Sequence, residues 1–396
     1  MKRIFLSAAA ILALVNAHAQ TPQDSTAYKS RKLKIEEVNL VSSYYSQDGN
    51  NAGVTGGIGS QKLSDIATTI DIKVVRYDKK FRKHTIDGEI GIDHYTSASS
   101  DKVDLKANSS ASHADTRIYP SLNYSIDNEA KGSSFGIGVS ASQEYDYQSF
   151  GANLSFSKKN KNRSGEFSAK LHAYFDQVKI ILPIELRTGP DPEEESEGTS
   201  PRNSYSGSLS WSQIINQRLQ VALIAEFVSQ TGYLSMPFYR VYFDDGSVHE
   251  EKLPDSRMKI PVGIRASYFL GDKFILRGYY RYYTDDWGLH SHTANLEVPI
   301  KINPFLSVSP FYRFYSQTAI KYFEAYGVHT AQDNYYSSNY DLSRFNSHFI
   351  GAGLRITPAN GVFGMQHFNM IELRYGHYAK NIGMNANSIT MNLRFR

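Results

Sequence analysis

Strict alternation of apolar and polar side chains constrains this chain more than any other feature. In the last nine residues, Ser388 to Arg396, Ile389, Met391, Leu393 and Phe395 fall on one face. Ser388, Thr390, Asn392, Arg394 and Arg396 fall on the other. Successive side chains of a strand point to opposite faces, so a period of two is a strand with one apolar and one wet side. The same pattern recurs upstream. Ile86, Gly88, Ile90 and Ile92 alternate with Asp87, Glu89, Gly91 and Asp93; Leu209 and Trp211 alternate with Ser206, Ser208, Ser210 and Ser212. Such strands build either a soluble sheet packed over a core or a transmembrane barrel whose apolar face meets lipid.

The connections discriminate between the two. The pattern gives sixteen strands, at 36–46, 62–77, 84–96, 116–127, 133–146, 149–158, 166–178, 205–215, 219–229, 259–269, 274–285, 290–301, 305–317, 346–357, 368–378 and 388–396, with fourteen or eighteen as variants. Short turns such as Asn216-Gln217-Arg218, Gly271-Asp272-Lys273 and Asn303-Pro304 alternate with long loops at 47–61, 97–115, 179–204, 230–258 and 318–345. Sorting loops by length onto two ends is the arrangement of outer-membrane barrels, with short turns on the periplasmic side. The connections at 147–148, 286–289 and 379–387 are short for the long-loop side. Pro120, Pro261, Pro299 and Pro310 lie inside strands and lack a donor, which predicts bulges or positions at the membrane boundary.

The N-terminus fits that destination. Lys2 and Arg3 precede an apolar run from Ile4 to Val15, and Ala17-His18-Ala19 is a small-x-small cleavage site. Residues 1–19 are thus expected to be a signal peptide, 20–34 a polar flexible segment, and 35–396 a single barrel in the bacterial outer membrane. The absence of cysteine excludes disulfides, thiolate metal sites and c-type haem attachment, and no cofactor is expected. Tyrosine is abundant, 28 against 2 tryptophans, and suits a membrane–water boundary. A net charge of +4 gives no argument for nucleic acid as a partner.

Several stretches carry a resemblance. Val38 to Asn51, Asp93 to Ser100, Asp115 to Ser121 and Thr293 to Pro299 resemble a family of Bacteroidetes envelope proteins, domain-of-unknown-function family 3570. The resemblance covers essentially the whole mature chain. It implies an outer-membrane β-barrel and no known activity. It also implies an association with envelope redox or flavoprotein systems, whose redox centre would belong to a partner. Outer-membrane lipids, the barrel-assembly machinery and a periplasmic envelope protein are the expected partners.

The wet faces locate the candidate site. With that face as the lumen, early strands place Asp71, Asp87, Glu89, Asp93, Glu144, Asp146 and Asp176 there, with Lys73, Arg117 and Lys170. Later strands place Arg265, Arg277, Arg281, Arg313, Arg355, Arg374 and Arg394 there, with Glu297 and Glu372. One half of the wall is mostly acidic and the other mostly basic. This predicts a porin-like channel with a transverse field that orients polar solutes. The competing reading is that the charges pair with their neighbours in a non-conducting barrel that serves as a scaffold for an envelope complex. Ile389, Met391, Leu393 and Phe395 are expected on the lipid face of the strand that closes against Val38 to Ser46.

An enzyme is the third class. His290-Ser291-His292, Ser347-His348 and Asp93-His94 supply suitable residue types, but sequence neighbours on a strand face opposite ways and form no dyad. Acidic loop clusters at Asp191, Glu193, Glu194, Glu195 and Glu197, at Asp244 and Asp245, and at Glu250 and Glu251 lack calcium-loop spacing and read as solvated. Gly56-Gly57-Ile58-Gly59 reads as a flexible turn. No catalytic or metal residue is assigned.

Overall fold

Alternation becomes one continuous antiparallel sheet. The computed structural model describes residues 32–96, 114–187 and 198–396. The expected signal peptide, most of the N-terminal segment and the 191–197 acidic cluster lie outside these residues. The wall is built from β1 (Lys34–Asp48), β2 (Leu63–Tyr77), β3 (Lys83–Thr96), β4 (Ala114–Asn128), β5 (Ser133–Gln143), β6 (Tyr147–Lys159), β7 (Gly165–Lys179), β8 (Thr199–Ile214) and β9 (Leu219–Gly232). A small loop hairpin follows, β10 (Arg240–Tyr242) and β11 (Val248–Glu250). The wall resumes with β12 (Ser256–Leu270), β13 (Phe274–Asp285), β14 (His290–Glu297), β15 (Ile300–Asn303), β16 (Leu306–Gln317), β17 (Phe345–Ile356), β18 (Phe368–Lys380) and β19 (Met384–Phe395). β14 and β15 are two halves of one wall strand, both paired with β16, so the 17 segments of the sheet make sixteen staves. β1 begins at Lys34, inside the segment read as flexible, because Lys34 already pairs with Val75.

Closure is made by the two ends of the wall. Val38 pairs with Phe395, Leu40 with Leu393, Ser42 with Met391 and Tyr44 with Ile389. The wall has no open edge among the described residues, and every wall strand has two hydrogen-bonded neighbours. The register also settles which face is outside. Ile66, Leu122, Leu154, Leu209, Ile350 and Leu373 belong to the apolar face and all are exposed; Leu171, in the middle of β7, is 58% exposed. A soluble barrel would bury this face. Here it is an outward band that only lipid can cover, so the chain builds a transmembrane β-barrel of the outer-membrane type.

The turn chemistry follows from the short polar residues at the strand ends. The Asn216 side-chain oxygen accepts from the amides of Arg218 at 2.9 Å and Leu219 at 3.0 Å, and Asn303 does the same for Phe305 at 2.8 Å and Leu306 at 2.9 Å. The four strand prolines sit where a ladder is interrupted. Pro120 lies between the Ile118–Gln143 and Ser121–Ser140 pairs, and Pro261 between Lys259–Val228 and Val262–Ala225. Pro299 separates β14 from β15, and Pro310 lies opposite that break. A missing donor is tolerated at such gaps.

Candidate functional site

The inward face carries the charged residues singled out from the sequence. The register puts Asp71 opposite Asn39 and Glu89, and Asp87 opposite Lys73, all on the face away from the exposed isoleucines. Asp93 pairs with Arg117, and Asp176 with Ser149 and Arg202. Arg265 pairs with Tyr279, Arg277 and Arg281 lie on β13, and Arg277 pairs with Glu297. Arg313 pairs with Asn295 and Phe349, Arg355 with Glu372, Arg374 with Gly353, and Arg394 with Asn39. Glu144 follows the inward Ser142 at the loop end of β5.

Part of this charge is paired along the wall. Arg355 donates to Glu372 at 2.7 and 2.9 Å, and Arg374 lies 3.2 Å from Glu372 and 3.3 Å from Glu297. Arg394 lies 3.4 Å from Glu37 and Arg117 lies 3.6 Å from Glu144. The rest is not. Among the described residues Arg265, Arg281 and Arg313 form no ion pair. Arg265 and Arg313 lie over the rings of Tyr279 and Phe349, 5.7 and 4.9 Å from the centroids. The Arg281 Nε has no hydrogen-bond acceptor. On β2 and β3, Asp71 accepts from Asn39 at 2.9 Å and Asp93 from the Tyr119 hydroxyl at 2.8 Å. Around the sixteen staves β2 and β3 stand eight places from β12 and β13, on opposite walls. Acid thus faces arginine across the interior. These side chains keep contact with solvent: Arg277 is 48% and Arg117 42% exposed.

The long-loop end holds what sequence reasoning missed. Among the described residues the loops there fold together into a cap with its own small core. Val54, in the β1–β2 loop, packs with Phe238 of the β9–β12 loop, joined by Met236 and Tyr239. Leu253, Trp287, Leu289 and Ile320 form a second cluster drawn from three connections. The buried Arg240 donates to the Val54 carbonyl at 2.7 Å and forks onto the Glu185 carboxylate. Gly56 and Gly57 are buried rather than flexible. Their left-handed φ of 79° and 85° turns the chain inward, and a Cβ on Gly57 would stand 2.6 Å from the Ser338 carbonyl. At Glu250 and Glu251 the solvated reading fails as well: Glu251 is 2% exposed and accepts from the Ser337 hydroxyl and, at 2.8 Å, from the Met236 amide. Burial pushes its carboxyl up to about 7, against the pull of those two donors. The only faint signal of the cap is Trp287, one of 2 tryptophans, set in Asp285-Asp286-Trp287-Gly288.

The other candidates do not assemble into a centre. Ser291 and Ser347 face inward and are buried, whereas His290, His292 and His348 are on the outer face beside Tyr282, Tyr280 and Tyr312. Asp115, Glu144 and Asp146 bring carboxylate oxygens within 4.8 Å of one another, with the Tyr95 hydroxyl donating to Glu144 at 2.7 Å.

A family model described as a protein of unknown function (DUF3570) matches residues 4–381. No curated protein matches the chain. Among solved structures, OccK9 (OpdG) of Pseudomonas aeruginosa is similar with a TM-score of 0.43 at 8% identity, over 92% of this chain and 98% of that one. OccAB3 of Acinetobacter baumannii gives 0.43 at 11% identity, over 92% and 99%. A BenF-like porin from Pseudomonas fluorescens Pf-5 gives 0.44 at 9%, over 91% and 98%.

Proposed function

The chain belongs to the family of proteins of unknown function DUF3570, and from its own interior we propose that it is an outer-membrane channel for small charged solutes, closed in this state by its loop cap. One observation carries the reading. Carboxylates on β2 and β3 face arginines on β12 and β13 across a sixteen-stave barrel, and Arg277 among them is 48% exposed. Barrels of this strand number leave an aqueous channel. Opposed walls of opposite sign orient a dipolar solute and favour one that carries both an anionic and a cationic group.

The reading assigns no catalytic step to the chain. The serines near each histidine lie on the opposite face of the sheet, which supports that assignment. A non-conducting scaffold for an envelope complex is the second reading, and the packed cap favours it. Liposome swelling separates the two. Vesicles containing the wild type and Arg240→Ala are diluted into isotonic zwitterionic solute. Swelling that is slow in the wild type and faster in the variant supports a gated channel. No swelling with either protein supports the scaffold.

A further inference from the structure

The end of the barrel opposite the cap carries positive charge that neither the lumen nor the cap uses. The β2–β3 turn reads Asp78-Lys79-Lys80-Phe81-Arg82-Lys83, and the β4–β5 and β6–β7 turns add Lys131, Lys158, Lys159, Lys161 and Arg163. Some of this is neutralised locally. Arg82 lies 2.7 Å from Asp78, Lys83 2.9 Å from Glu36, and Lys159 3.6 Å from Glu129. Lys79, Lys80, Lys131 and Lys161 are exposed and, among the described residues, form no ion pair. These three turns are neighbours around the wall. The turns of β8–β9 and β12–β13 contribute one cation each, Arg218 and Lys273, the latter beside Asp272.

Two observations say what would lie against this sector. The apolar outer face runs almost to the turns: Phe135 and Phe167, both exposed, stand within three residues of Gly132 and two of Gly165. At a rise of about 3.3 Å per residue, the lysines sit about 10 Å or less from the edge of the hydrocarbon, which is headgroup depth. The β2–β3 turn also presents an aromatic ring there. Phe81 is 65% exposed and has a left-handed φ of 58°, a conformation that non-glycine residues seldom adopt.

We propose that the β2–β7 turn sector binds anionic phospholipid headgroups of the leaflet at the short-turn side. Lys79, Lys80, Lys131 and Lys161 meet the phosphates, and Phe81 sits at the boundary with the acyl chains. An acidic soluble partner would satisfy the charge, but the lysines stand at the edge of the lipid-covered apolar girdle, within headgroup depth of the bilayer already there. The lysines of a juxtamembrane cluster each add measurably to attraction for an anionic surface.

The test uses the full-length barrel in nanodiscs of phosphatidylcholine with a minor fraction of phosphatidylglycerol, followed by analysis of the lipid that stays bound on detergent extraction. The wild type should hold phosphatidylglycerol enriched about fivefold over the bulk ratio. Lys79→Gln, Lys80→Gln, Lys131→Gln and Lys161→Gln together should bring the ratio close to the bulk value, with unchanged heat-modifiable mobility; Lys79→Gln with Lys80→Gln alone should fall between. Inorganic phosphate should leave the wild-type enrichment intact. Bulk-like lipid on the wild type, enrichment that survives in the quadruple variant, or displacement by phosphate would each overturn the proposal. So would an equal loss from Arg218→Gln with Lys273→Gln, or capture of an acidic soluble protein without lipid enrichment.

Discussion

Arg240 and Val54 are 186 residues apart in the chain and joined by a 2.7 Å hydrogen bond from the guanidinium to the Val54 carbonyl. Val54 hangs from the β1–β2 connection and Arg240 from the β9–β12 connection, which leave the wall at opposite points of the sixteen-stave ring. A bond between them therefore crosses the mouth of the barrel. The same guanidinium holds Glu185 of the β7–β8 connection, so one buried cation ties three loops together.

Removing that cation should open the cap without unfolding the wall. In Arg240→Ala the Val54 carbonyl loses this donor and the half-exposed Glu185 carboxylate loses the Arg240 countercharge, a loss of roughly 1–2 kcal/mol. The wall hydrogen bonds do not involve this residue. Limited proteolysis of the folded protein should cut the 233–255 connection faster in the variant, with the heat-modifiable barrel band unchanged.

Closure of the cap should weaken as pH rises. Burial lifts the Glu251 carboxyl from its ordinary value near 4.5 to about 7. A raised folded-state value means that the closed form prefers the protonated group. The stabilisation is full below the unfolded value and is lost as pH passes through 7, amounting to about 3 kcal/mol in all. Proteolysis of the cap between about pH 5 and 8 should accelerate with pH in the wild type. Glu251→Gln should show a flat profile; a profile like that of the wild type would assign the effect to another group.

The two faces of β7 should respond oppositely to charge. Leu171 is on the outer face midway along the strand and His172 on the inner. Leu171→Arg should destabilise the folded barrel by about 2–4 kcal/mol, the cost of a cation at the bilayer midplane. His172→Arg should cost far less. Urea titration in lipid vesicles measures both.

The seam should depend on the last two residues. Phe395 pairs with Val38 and stacks on Phe368 at 4.8 Å, and the Arg396 amide donates to the His367 carbonyl at 2.8 Å. Deleting Phe395 and Arg396 should lower the yield of heat-modifiable barrel in isolated outer membranes severalfold. An undiminished yield would show that the remaining pairs, Asn39 with Arg394 onwards, close the wall without them.

The wall was legible because its information is local. Period-two alternation such as Phe167 to Phe175 fixes which side chains share a face, and Asn216 or Asn303 marks a turn by bonding to its own next residues. The charged inner face follows from the same parity. The cap was illegible because its contacts are not local. Nothing next to Glu251 foretells Ser337 above it, and nothing next to Gly57 foretells the Ser338 carbonyl against which it packs. Acidic and glycine-rich loops are ordinarily solvated, so composition pointed the wrong way at both places. Pairing within the lumen was intermediate: sequence parity brings Arg355 and Glu372 to one face, but only the register makes them neighbours while leaving the Arg281 Nε without an acceptor.

A channel of this kind holds a water-filled lumen whose opposed charges act on what passes through it. Planar-bilayer recording under a salt gradient tests it most directly, with the cap released by Arg240→Ala. That variant should conduct, and adding Arg277→Glu, Arg281→Glu and Arg313→Glu should move the reversal potential toward cation selectivity. A reversal potential unmoved by three charge reversals, or no conductance from either protein, would contradict the account.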